Sequence, residues 1–413
     1  MIFIYSFFLY LVAPLLPLYL KYRGKKNPDY LLNWNERFGI NLKSSSNKII
    51  WIHAVSVGET RATIKLIKML SNNFPEYQIL ITNMTPTGRK TAKNLFPNAI
   101  VHYIPYDLYF SVRAFYKTFK PTVGIIMETE IWPNLIWQSK NFNIPLYLAN
   151  ARLSDRSYKG YNRFKYLLMP VINRFKGILC QEENTLNNFK NLGYDGNLTI
   201  TGNTKFDLEL PENFLPTQKV LKEIIDNRKI ICFASTRDGE EELILDNIDL
   251  SLDLVYLIIP RHPERFSLLA ELLEKREIRY IKRSQNKPIT KDVKIIIGDS
   301  MGEMLAYYSV SELVIIGGSI NNFGGQNPLE AFFMDKPVIF GKSMYNFSKI
   351  AKDSLSSGCA IQLDSVENLK STINNLLKDS DFYYQMQANC KLFIDKYQGA
   401  SQRVYDIVVR DLI

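Results

Sequence analysis

Short apolar runs alternate with amphipathic stretches along most of this chain, and the alternation predicts its fold class. From Ile49 onward the apolar runs are separated by segments with helical spacing, such as Ala62–Asn72. Strands that alternate with amphipathic helices are typical of βαβ units and a parallel sheet. The strands predicted in the first half of the chain are Ile49–His53, Gln78–Thr82, Val123–Met127, Leu146–Ala149 and Leu198–Thr201.

A polar, proline-containing stretch at residues 208–218 interrupts the pattern and predicts a linker between two domains. The fold class is therefore predicted to be α/β, with two doubly wound, Rossmann-like domains that face a cleft. The first domain covers residues 27–207 and the second covers residues 219–413, whose last helical stretch, Ala400–Ile413, is a candidate to cross back onto the first domain. The strands predicted in the second domain are Lys229–Ala234, Val255–Ile259, Val293–Ile297, Leu313–Ile316 and Pro337–Phe340.

The N-terminal segment has a different pattern, because Met1–Leu20 is apolar and uncharged and the basic run KYRGKK follows it directly. Its length reaches the roughly 20 residues that a spanning helix needs. Basic residues on this flank would keep the rest of the protein on the cytoplasmic side. Residues 1–26 are therefore predicted to be a membrane anchor with a basic flank. Pro14 and Pro17 weaken a straight helix, so spanning, hairpin-like and interfacial insertion all stay open.

Composition narrows the class of protein further. A chain of 413 residues with 46% hydrophobic and 22% charged residues is long enough for two globular domains. The net charge of +10 is compatible with nucleic acid, a membrane surface or an acidic lipid. Because the lysines and arginines are spread along the chain without a recognisable nucleic-acid motif, we expect an anionic membrane surface and no nucleic-acid partner.

The stretch from Leu313 to Phe340 predicts a binding site for a nucleotide sugar. A buried strand ends at a glycine-rich turn, after which Asn327 is predicted to cap a helix that starts at Pro328. Such a turn offers unpaired backbone N–H groups and a positive helix end to a phosphate. Glu330 in the first turn is placed to accept hydrogen bonds from sugar hydroxyls. The alternative is an ordinary strand–turn–helix of an α/β domain.

Carboxylates follow two strands of the first domain. Glu59, in SVGET, comes after the strand Ile49–His53, where a carboxylate would serve as the general base that sugar transfer to an alcohol requires. The alternative role for Glu59 is to stabilise a helix dipole. Glu128 and Glu130, in METEIWPN, follow the third predicted strand and are interpreted as residues that position the acceptor or support the base. A metal site is not expected here, because no cluster of histidines or aspartates accompanies these glutamates.

Two cations also follow strands. Lys205 in GNTKFD and Arg261 in IPRHPERF would offset the charge of a phosphate leaving group, a role that a divalent metal fills elsewhere. Pro260 and Pro263 stiffen the loop that carries Arg261, which favours a functional role over a plain surface charge. His262 is interpreted as structural.

These motifs together resemble one family. SVGET, TPTGRKTA, METEIWPNLI, NARLSDRS, GNTKFD, PRHPERF, GDSMGEM and GGQNPLEA occur in this order between the anchor and about Phe347. The combination is similar to that of the 3-deoxy-D-manno-octulosonic acid (Kdo) transferases of Gram-negative bacteria. The resemblance implies a GT-B fold, a CMP-Kdo donor, a lipid A precursor (lipid IVA) as acceptor, and inverting transfer without a metal or other cofactor. It also implies a single-pass protein of the bacterial inner membrane, in contact with its lipids, with catalytic domains on the cytoplasmic side.

The resemblance also implies roles for individual residues. Glu59 matches the proposed catalytic base, and Glu128 and Lys205 match residues thought to stabilise the transition state. The first domain would bind the acceptor, and the second would bind the donor. The residues that match the CMP-binding segments are Pro260, Arg261, Met301, Gly302, Glu303, Asn327, Pro328, Leu329 and Glu330.

Two departures from the family pattern lie in the second domain. Gln326 stands where the family often has histidine, and Arg237-Asp238 stands in STRDGEE where STHEGEE is common. Other interpretations stay open: another GT-B nucleotide-sugar transferase, a sugar-nucleotide epimerase, or a non-catalytic glycolipid-binding membrane protein. Glu36 in NERFG is interpreted either as a structural residue or as a lipid contact.

Overall fold

Two compact α/β units make up the chain, each built on its own parallel sheet. The computed structural model describes residues 2–43 and 48–413. Unit 1 contains the described residues up to Asp207 together with Tyr397–Ile413, and unit 2 is Leu208–Lys396. The order of strands in unit 1 is β3-β2-β1-β4-β5-β6-β7 and in unit 2 it is β10-β11-β9-β8-β12-β13-β14. The strands are β1 (Ile49–His53), β2 (Gln78–Asn83), β3 (Ile100–Tyr103), β4 (Val123–Met127), β5 (Leu146–Ala151), β6 (Gly177–Cys180), β7 (Asn197–Ile200), β8 (Lys229–Thr236), β9 (Leu254–Pro260), β10 (Tyr280–Lys282), β11 (Ile295–Ile297), β12 (Leu313–Ile316), β13 (Val338–Phe340) and β14 (Ala360–Gln362).

All strand pairs in both sheets are parallel, which confirms the predicted doubly wound α/β class. The helices are α1 (Ile2–Val12), α2 (Leu15–Lys26), α3 (Val57–Ala62), α4 (Ile64–Asn73), α5 (Pro86–Leu95), α6 (Tyr109–Phe119), α7 (Pro133–Asn141), α8 (Asp155–Arg163), α9 (Lys165–Ile172), α10 (Glu183–Leu192), α11 (Phe214–Ile225), α12 (Glu240–Asp246), α13 (Arg265–Lys275), α14 (Met304–Ser309), α15 (Leu329–Phe333), α16 (Ser348–Ser356), α17 (Leu369–Lys378), α18 (Ser380–Tyr397) and α19 (Ala400–Val408). Short 3-10 turns, such as Thr204–Phe206, connect some of these elements.

The sheet of unit 1 is covered on both faces. Along β1, Ile49 and Trp51 belong to one hydrophobic core, whereas Ile50 and Ile52 belong to another. Successive side chains of a strand point to opposite faces of its sheet, so the two cores lie on opposite faces. This explains why β1 is buried along its whole length and reads as a continuous apolar run.

The predicted strands are present, and four further strands were missed. The missed strands are β3, β6, β10 and β14. They have three or four residues each, so they show too little alternation for a pattern to be recognised. Three of them, β3, β10 and β14, also lie at the edge of a sheet. The predicted helix at Ala62–Asn72 is divided at Thr63 into α3 and α4.

The chain passes between the units at two places. Part of the predicted linker is helical, since α11 starts at Phe214. The last helix, α19, belongs to unit 1, and its Val404 and Val408 are buried in a core of that unit. Asp207 fixes the start of α19, because its carboxylate accepts the N–H groups of Gly399 (2.6 Å) and Ala400 (3.1 Å).

The N-terminal segment forms two helices instead of one. Helices α1 and α2 meet at a bend of 54° next to Pro14. No single helix among the described residues has the length and hydropathy to cross a membrane. The two helices of the bent pair reach that length and hydropathy only when they are taken together. Polar contacts attach helix α1 to the rest of unit 1. The Tyr5 hydroxyl donates to Asp107 (2.9 Å), and the Ser6 hydroxyl donates to the Asn134 side chain (2.9 Å).

Candidate active site

Glu59 lies at the C-terminal edge of the sheet in unit 1, beside the point where strand order reverses between β1 and β4. Ser56 caps α3, and Glu59 is in the first turn of that helix. The Glu59 carboxylate accepts the Val55 N–H at 2.8 Å and the Ser56 hydroxyl at 2.8 Å. Glu59 is 8% exposed. The carboxylate thus takes part in capping the helix, and a small part of its surface is still accessible.

The surroundings of Glu59 favour its protonated form. Burial raises its pKa above the ordinary value, whereas the hydrogen bonds from Ser56 and Val55 lower it. The negative charges of Glu128 and Glu130 raise the pKa further. A carboxylate with a raised pKa is a better proton acceptor than an ordinary surface glutamate once it is ionised.

Glu128 and Lys205 are in direct contact. Glu128 directly follows β4 with φ = +60°, in the left-handed region that non-glycine residues rarely adopt. Its side chain accepts a hydrogen bond from the Lys205 ammonium, and the two form an ion pair. Lys205 reaches this position because the Thr204 N–H donates to the Asn150 side chain (3.1 Å), which holds the 3-10 turn over the sheet edge. Three carboxylates and one ammonium group therefore meet at the edge of unit 1.

Glu130 completes this group. The Trp132 ring nitrogen donates to its carboxylate at 2.7 Å. Burial raises the pKa of Glu130, the bond from Trp132 lowers it, and the charge of Glu128 raises it. The charge of Glu130 therefore raises the pKa of Glu59, and the hydrogen bond from Trp132 holds the Glu130 carboxylate in place.

Glu36 has a structural role in the described residues. Its carboxylate accepts two bonds from the Arg89 guanidinium, at 2.8 and 2.9 Å, and one from the Tyr103 N–H at 2.8 Å. Burial would raise its pKa, but hydrogen bonds from His102, Tyr103 and Arg89 outweigh burial and lower it. Arg37, the next residue, lies over the Tyr103 ring with its guanidinium carbon 3.8 Å from the ring centre. The NERFG motif thus joins the N-terminal segment to β3 and α5.

In unit 2 the glycine-rich turn after β12 is closed by an internal carboxylate. Glu240 is fully buried and accepts the N–H groups of Gly318 (2.7 Å), Ile320 (3.1 Å) and Asn321 (3.1 Å). It also accepts the N–H of Arg237 at 2.8 Å. The prediction that this turn offers unpaired N–H groups to a phosphate is wrong for these residues, because a protein carboxylate already occupies them.

The helix after this turn starts one residue later than predicted. Helix α15 has five residues, and Pro328 rather than Asn327 is its N-cap. The Asn327 side chain still accepts the Leu329 N–H at 3.1 Å. Among the residues that the structure describes, none donates a hydrogen bond to Glu330, and its pKa is raised by burial and lowered by the charge of Arg261. Glu330 is therefore a hydrogen-bond acceptor that has no donor in the described part of the chain.

The other predicted donor-binding residues follow neighbouring strands at the same edge. Pro260 ends β9, and the Arg261 N–H donates to the Thr236 carbonyl at 3.0 Å while its side chain is exposed. The exposed Met301 follows β11, and Gly302 has φ = +80°. Glu303 accepts hydrogen bonds from Arg283 (3.2 Å) and Ser300. Since β11, β9, β8 and β12 are adjacent and parallel, their C-terminal ends lie along one edge.

Two residues of this edge were not identified from the sequence as site residues. Glu240 and Arg237 both belong to STRDGEE, which was noted only as a departure from a family pattern. A signal was present, because the motif follows β8 just as SVGET follows β1. The contacts of Glu240 with a turn about 80 residues later could not be read from the sequence.

Comparison with known proteins gives consistent results. The family model described as 3-Deoxy-D-manno-octulosonic-acid transferase (kdotransferase) matches residues 32–208. A 3-deoxy-D-manno-octulosonic acid transferase of Haemophilus influenzae is 35% identical to this chain, and the match covers 98% of this chain and 97% of that protein. Its counterpart from Rickettsia bellii is 32% identical, with 98% and 99% covered. The solved UDP-GlcNAc 2-epimerase of Neisseria meningitidis is similar with a TM-score of 0.58 at 15% identity, over 88% of this chain and 99% of that one, which shows the α/β, GT-B-like fold alone.

Proposed function

Because this chain belongs to the family of 3-deoxy-D-manno-octulosonic acid (Kdo) transferases, we propose that it transfers Kdo from CMP-Kdo to lipid IVA, a lipid A precursor, in lipopolysaccharide biosynthesis. It is thus a glycosyltransferase of α/β, GT-B-like fold. The observation that carries the proposal is the group formed by Glu59, Glu128 and Lys205 at the C-terminal edge of unit 1.

Glu59 is the general base in this proposal. Its carboxylate takes the proton of a glucosamine hydroxyl, and the hydroxyl oxygen attacks the anomeric carbon of Kdo. The bond between that carbon and the phosphate oxygen breaks, and CMP leaves with the bonding electrons. Attack opposite the leaving group inverts the anomeric configuration. The raised pKa and partial accessibility of Glu59 support this role.

The remaining charges are assigned to the donor and the transition state. Glu128 holds the Lys205 ammonium through their ion pair, and Lys205 offsets negative charge that develops during transfer. In unit 2, Arg261 binds the phosphate of CMP. Glu330, which has no hydrogen-bond donor among the described residues, accepts hydrogen bonds from the ribose hydroxyls.

We place the protein at the cytoplasmic face of a bacterial inner membrane, held there by α1 and α2. Helix α1 exposes a cluster of large apolar side chains: Phe3, Ile4, Phe7, Phe8 and Leu11. Basic residues, Arg23, Lys25 and Lys26, occupy the last turn of α2. An apolar helix with a basic flank suits a leaflet of anionic lipid and brings the catalytic units to a glycolipid acceptor.

The test is transfer of Kdo from CMP-Kdo to tetra-acylated lipid A precursor, with wild type, Glu59→Gln and the control Glu76→Gln compared. Glu76 is an exposed glutamate of the same unit. We expect product from wild type and from the control, and a loss of about 10²–10⁴-fold in kcat for Glu59→Gln with unchanged CMP affinity. Full activity of Glu59→Gln would remove this residue from the mechanism and direct attention to Glu128. Absence of product from the folded wild type would refute the substrate assignment.

A further inference from the structure

Two arginines at the C-terminal edge of unit 2 form no salt bridge among the residues that the structure describes. Arg237 follows β8 and Arg261 follows β9, and these two strands are adjacent. Among residues 2–43 and 48–413, no carboxylate lies within ion-pair distance of either guanidinium. The neighbouring Arg265, by contrast, pairs with both Asp238 and Glu241. The charge of Arg261 lowers the pKa of Glu330, but the described residues show no salt bridge between the two, so the positive charges of both Arg237 and Arg261 remain available for a ligand.

Arg237 is held in one orientation by its neighbours. Its guanidinium carbon lies 4.8 Å from the centre of the Phe323 ring, so the cation lies against the aromatic ring. One terminal nitrogen, Nη1, is 3.1 Å from Nε2 of His262. Because a guanidinium can only donate hydrogen bonds, Nε2 of His262 is the acceptor.

The backbone around Arg237 is equally well fixed. Its N–H donates to Glu240, whose carboxylate also accepts three N–H groups of the turn that carries Phe323. The same buried carboxylate therefore positions both the arginine and the segment against which it lies. A Cβ atom on Gly318 would come within 3.3 Å of Arg237 Cγ, which shows how closely the side chain follows this turn.

The remaining donors of Arg237 form one edge of the guanidinium. With Nη1 bound to His262, the Nε and Nη2 groups have no protein acceptor within the described ranges. These two N–H groups are parallel, and their spacing matches the two oxygens of a carboxylate. A preoriented arginine with this edge free is suited to recognise a carboxylate on a ligand.

We propose that Arg237 binds the carboxylate carried by the anomeric carbon of the donor sugar, while Arg261 binds the adjacent phosphate. The proposal rests on the proposed function, since CMP-Kdo bears both groups on the same carbon atom. Two neighbouring arginines fit two neighbouring anions. Arg237 then distinguishes an acidic sugar donor from a nucleotide that lacks the sugar carboxylate.

The experiment compares the intact donor with CMP, which keeps a phosphate and lacks the carboxylate. The KM for CMP-Kdo and the inhibition constant of CMP are measured in the transfer assay for wild type, Arg237→Gln, Arg237→Lys, Arg261→Gln and the control Arg276→Gln. Arg276 pairs with Asp246 in the same unit. We expect Arg237→Gln to raise the KM for CMP-Kdo by about 10–100-fold and to change CMP inhibition less than about threefold. Arg261→Gln should weaken both.

Arg237→Lys keeps the charge and loses the parallel donors, so its KM should lie between those of wild type and Arg237→Gln. Circular dichroism of each variant, compared with wild type, establishes that both units are folded. Equal weakening of CMP and CMP-Kdo in both Arg237 variants would overturn the proposal, because the residue would then contact the nucleotide. An unchanged KM in both would also overturn it. Failure of the proposed function is distinguishable, since wild type itself would then give no transfer from CMP-Kdo.

Discussion

Glu59 and Glu240 occupy equivalent places in the two units, but they differ in the number of hydrogen-bond donors around the carboxylate and in its exposure. Each follows the strand beside the reversal of strand order, β1 in unit 1 and β8 in unit 2, and each lies in the first turn of the next helix. Glu59 has one backbone N–H and one hydroxyl as donors. Glu240 has four backbone N–H groups and no exposed surface.

The comparison shows that a raised pKa does not by itself identify a base. Burial raises the pKa of Glu59 and of Glu240 alike, although the N–H groups around Glu240 partly offset it. What distinguishes the two is the number of fixed donors and the access of a ligand. All the hydrogen bonds that the Glu240 carboxylate can accept are made within unit 2, so its role is to hold the surrounding loops in place. Glu59 keeps accessible surface and like-charged neighbours, so it can exchange a proton.

The largest expected effect is a loss of stability in Glu240→Gln, with Glu59→Gln as the comparison. At position 240 each carboxylate oxygen accepts two N–H groups, so the amide NH₂ would face two donors in either orientation. We expect Glu240→Gln to cost about 3–5 kcal/mol of stability. At position 59 the amide oxygen can accept the Val55 N–H and the NH₂ can donate to the Ser56 hydroxyl, so the cost should stay below about 1 kcal/mol.

Denaturant unfolding with two probes measures this contrast. All four tryptophans, Trp34, Trp51, Trp132 and Trp137, lie in unit 1, so their fluorescence reports on that unit while circular dichroism reports on both. For Glu240→Gln, the dichroism transition should move to lower denaturant and the tryptophan transition should move less. Equal stability losses at the two positions would contradict the distinction between Glu240 as a structural residue and Glu59 as the proposed base.

The buried carboxyl group of Asp107 leads us to expect that the stability of the protein depends on pH. Its carboxylate accepts the N–H groups of Asn134 and Leu135 at the start of α7 and the Tyr5 hydroxyl, and burial raises its pKa to about 7. Between its ordinary pKa and this value the folded protein binds more protons than the unfolded chain, so stability falls as pH rises from about 4 to about 7.

Over that window the contribution of Asp107 is about 2–4 kcal/mol. Denaturation midpoints followed by tryptophan fluorescence should show a shallower fall with pH in Asp107→Asn than in wild type. The slope, rather than the absolute stability, is the readout, because asparagine also changes the hydrogen bonds at α7. The same slope in both proteins would mean that Asp107 is ionised in the fold.

The smallest expected effect concerns the like charges around Glu59. Glu130 raises the pKa of Glu59, and Glu130→Gln removes this charge while its amide oxygen can still accept the Trp132 ring N–H. Because the proposed base Glu59 must be ionised to accept a proton, we expect kcat to fall as pH falls through the Glu59 pKa. The acid limb of the kcat profile should therefore move down by a few tenths of a pH unit in Glu130→Gln and stay in place in Glu76→Gln. A move in the other direction would exclude Glu59 as the titrating base.

The sequence predicted what depends on local pattern and missed what depends on distant partners. Both sheets followed from apolar runs, and Glu59, Glu128 and Lys205 were selected because each follows a predicted strand. The ion pair of Glu128 with Lys205 joins residues far apart in the chain, and it depends on the Asn150 side chain, which no pattern indicates. The glycine-rich turn was misjudged for the same reason, since its N–H groups are taken by Glu240 from another loop.

The backbone of Glu128 has a consequence for how this enzyme could be stabilised. A non-glycine residue in the left-handed region costs about 1 kcal/mol, and glycine would adopt this φ without strain. Glycine at this position would also remove the carboxylate that holds Lys205. If Lys205 has the role proposed for it in transfer, a screen for heat resistance alone would favour a substitution that a screen for sugar transfer rejects. Under this proposal, selection for stability and selection for activity favour different amino acids at residue 128.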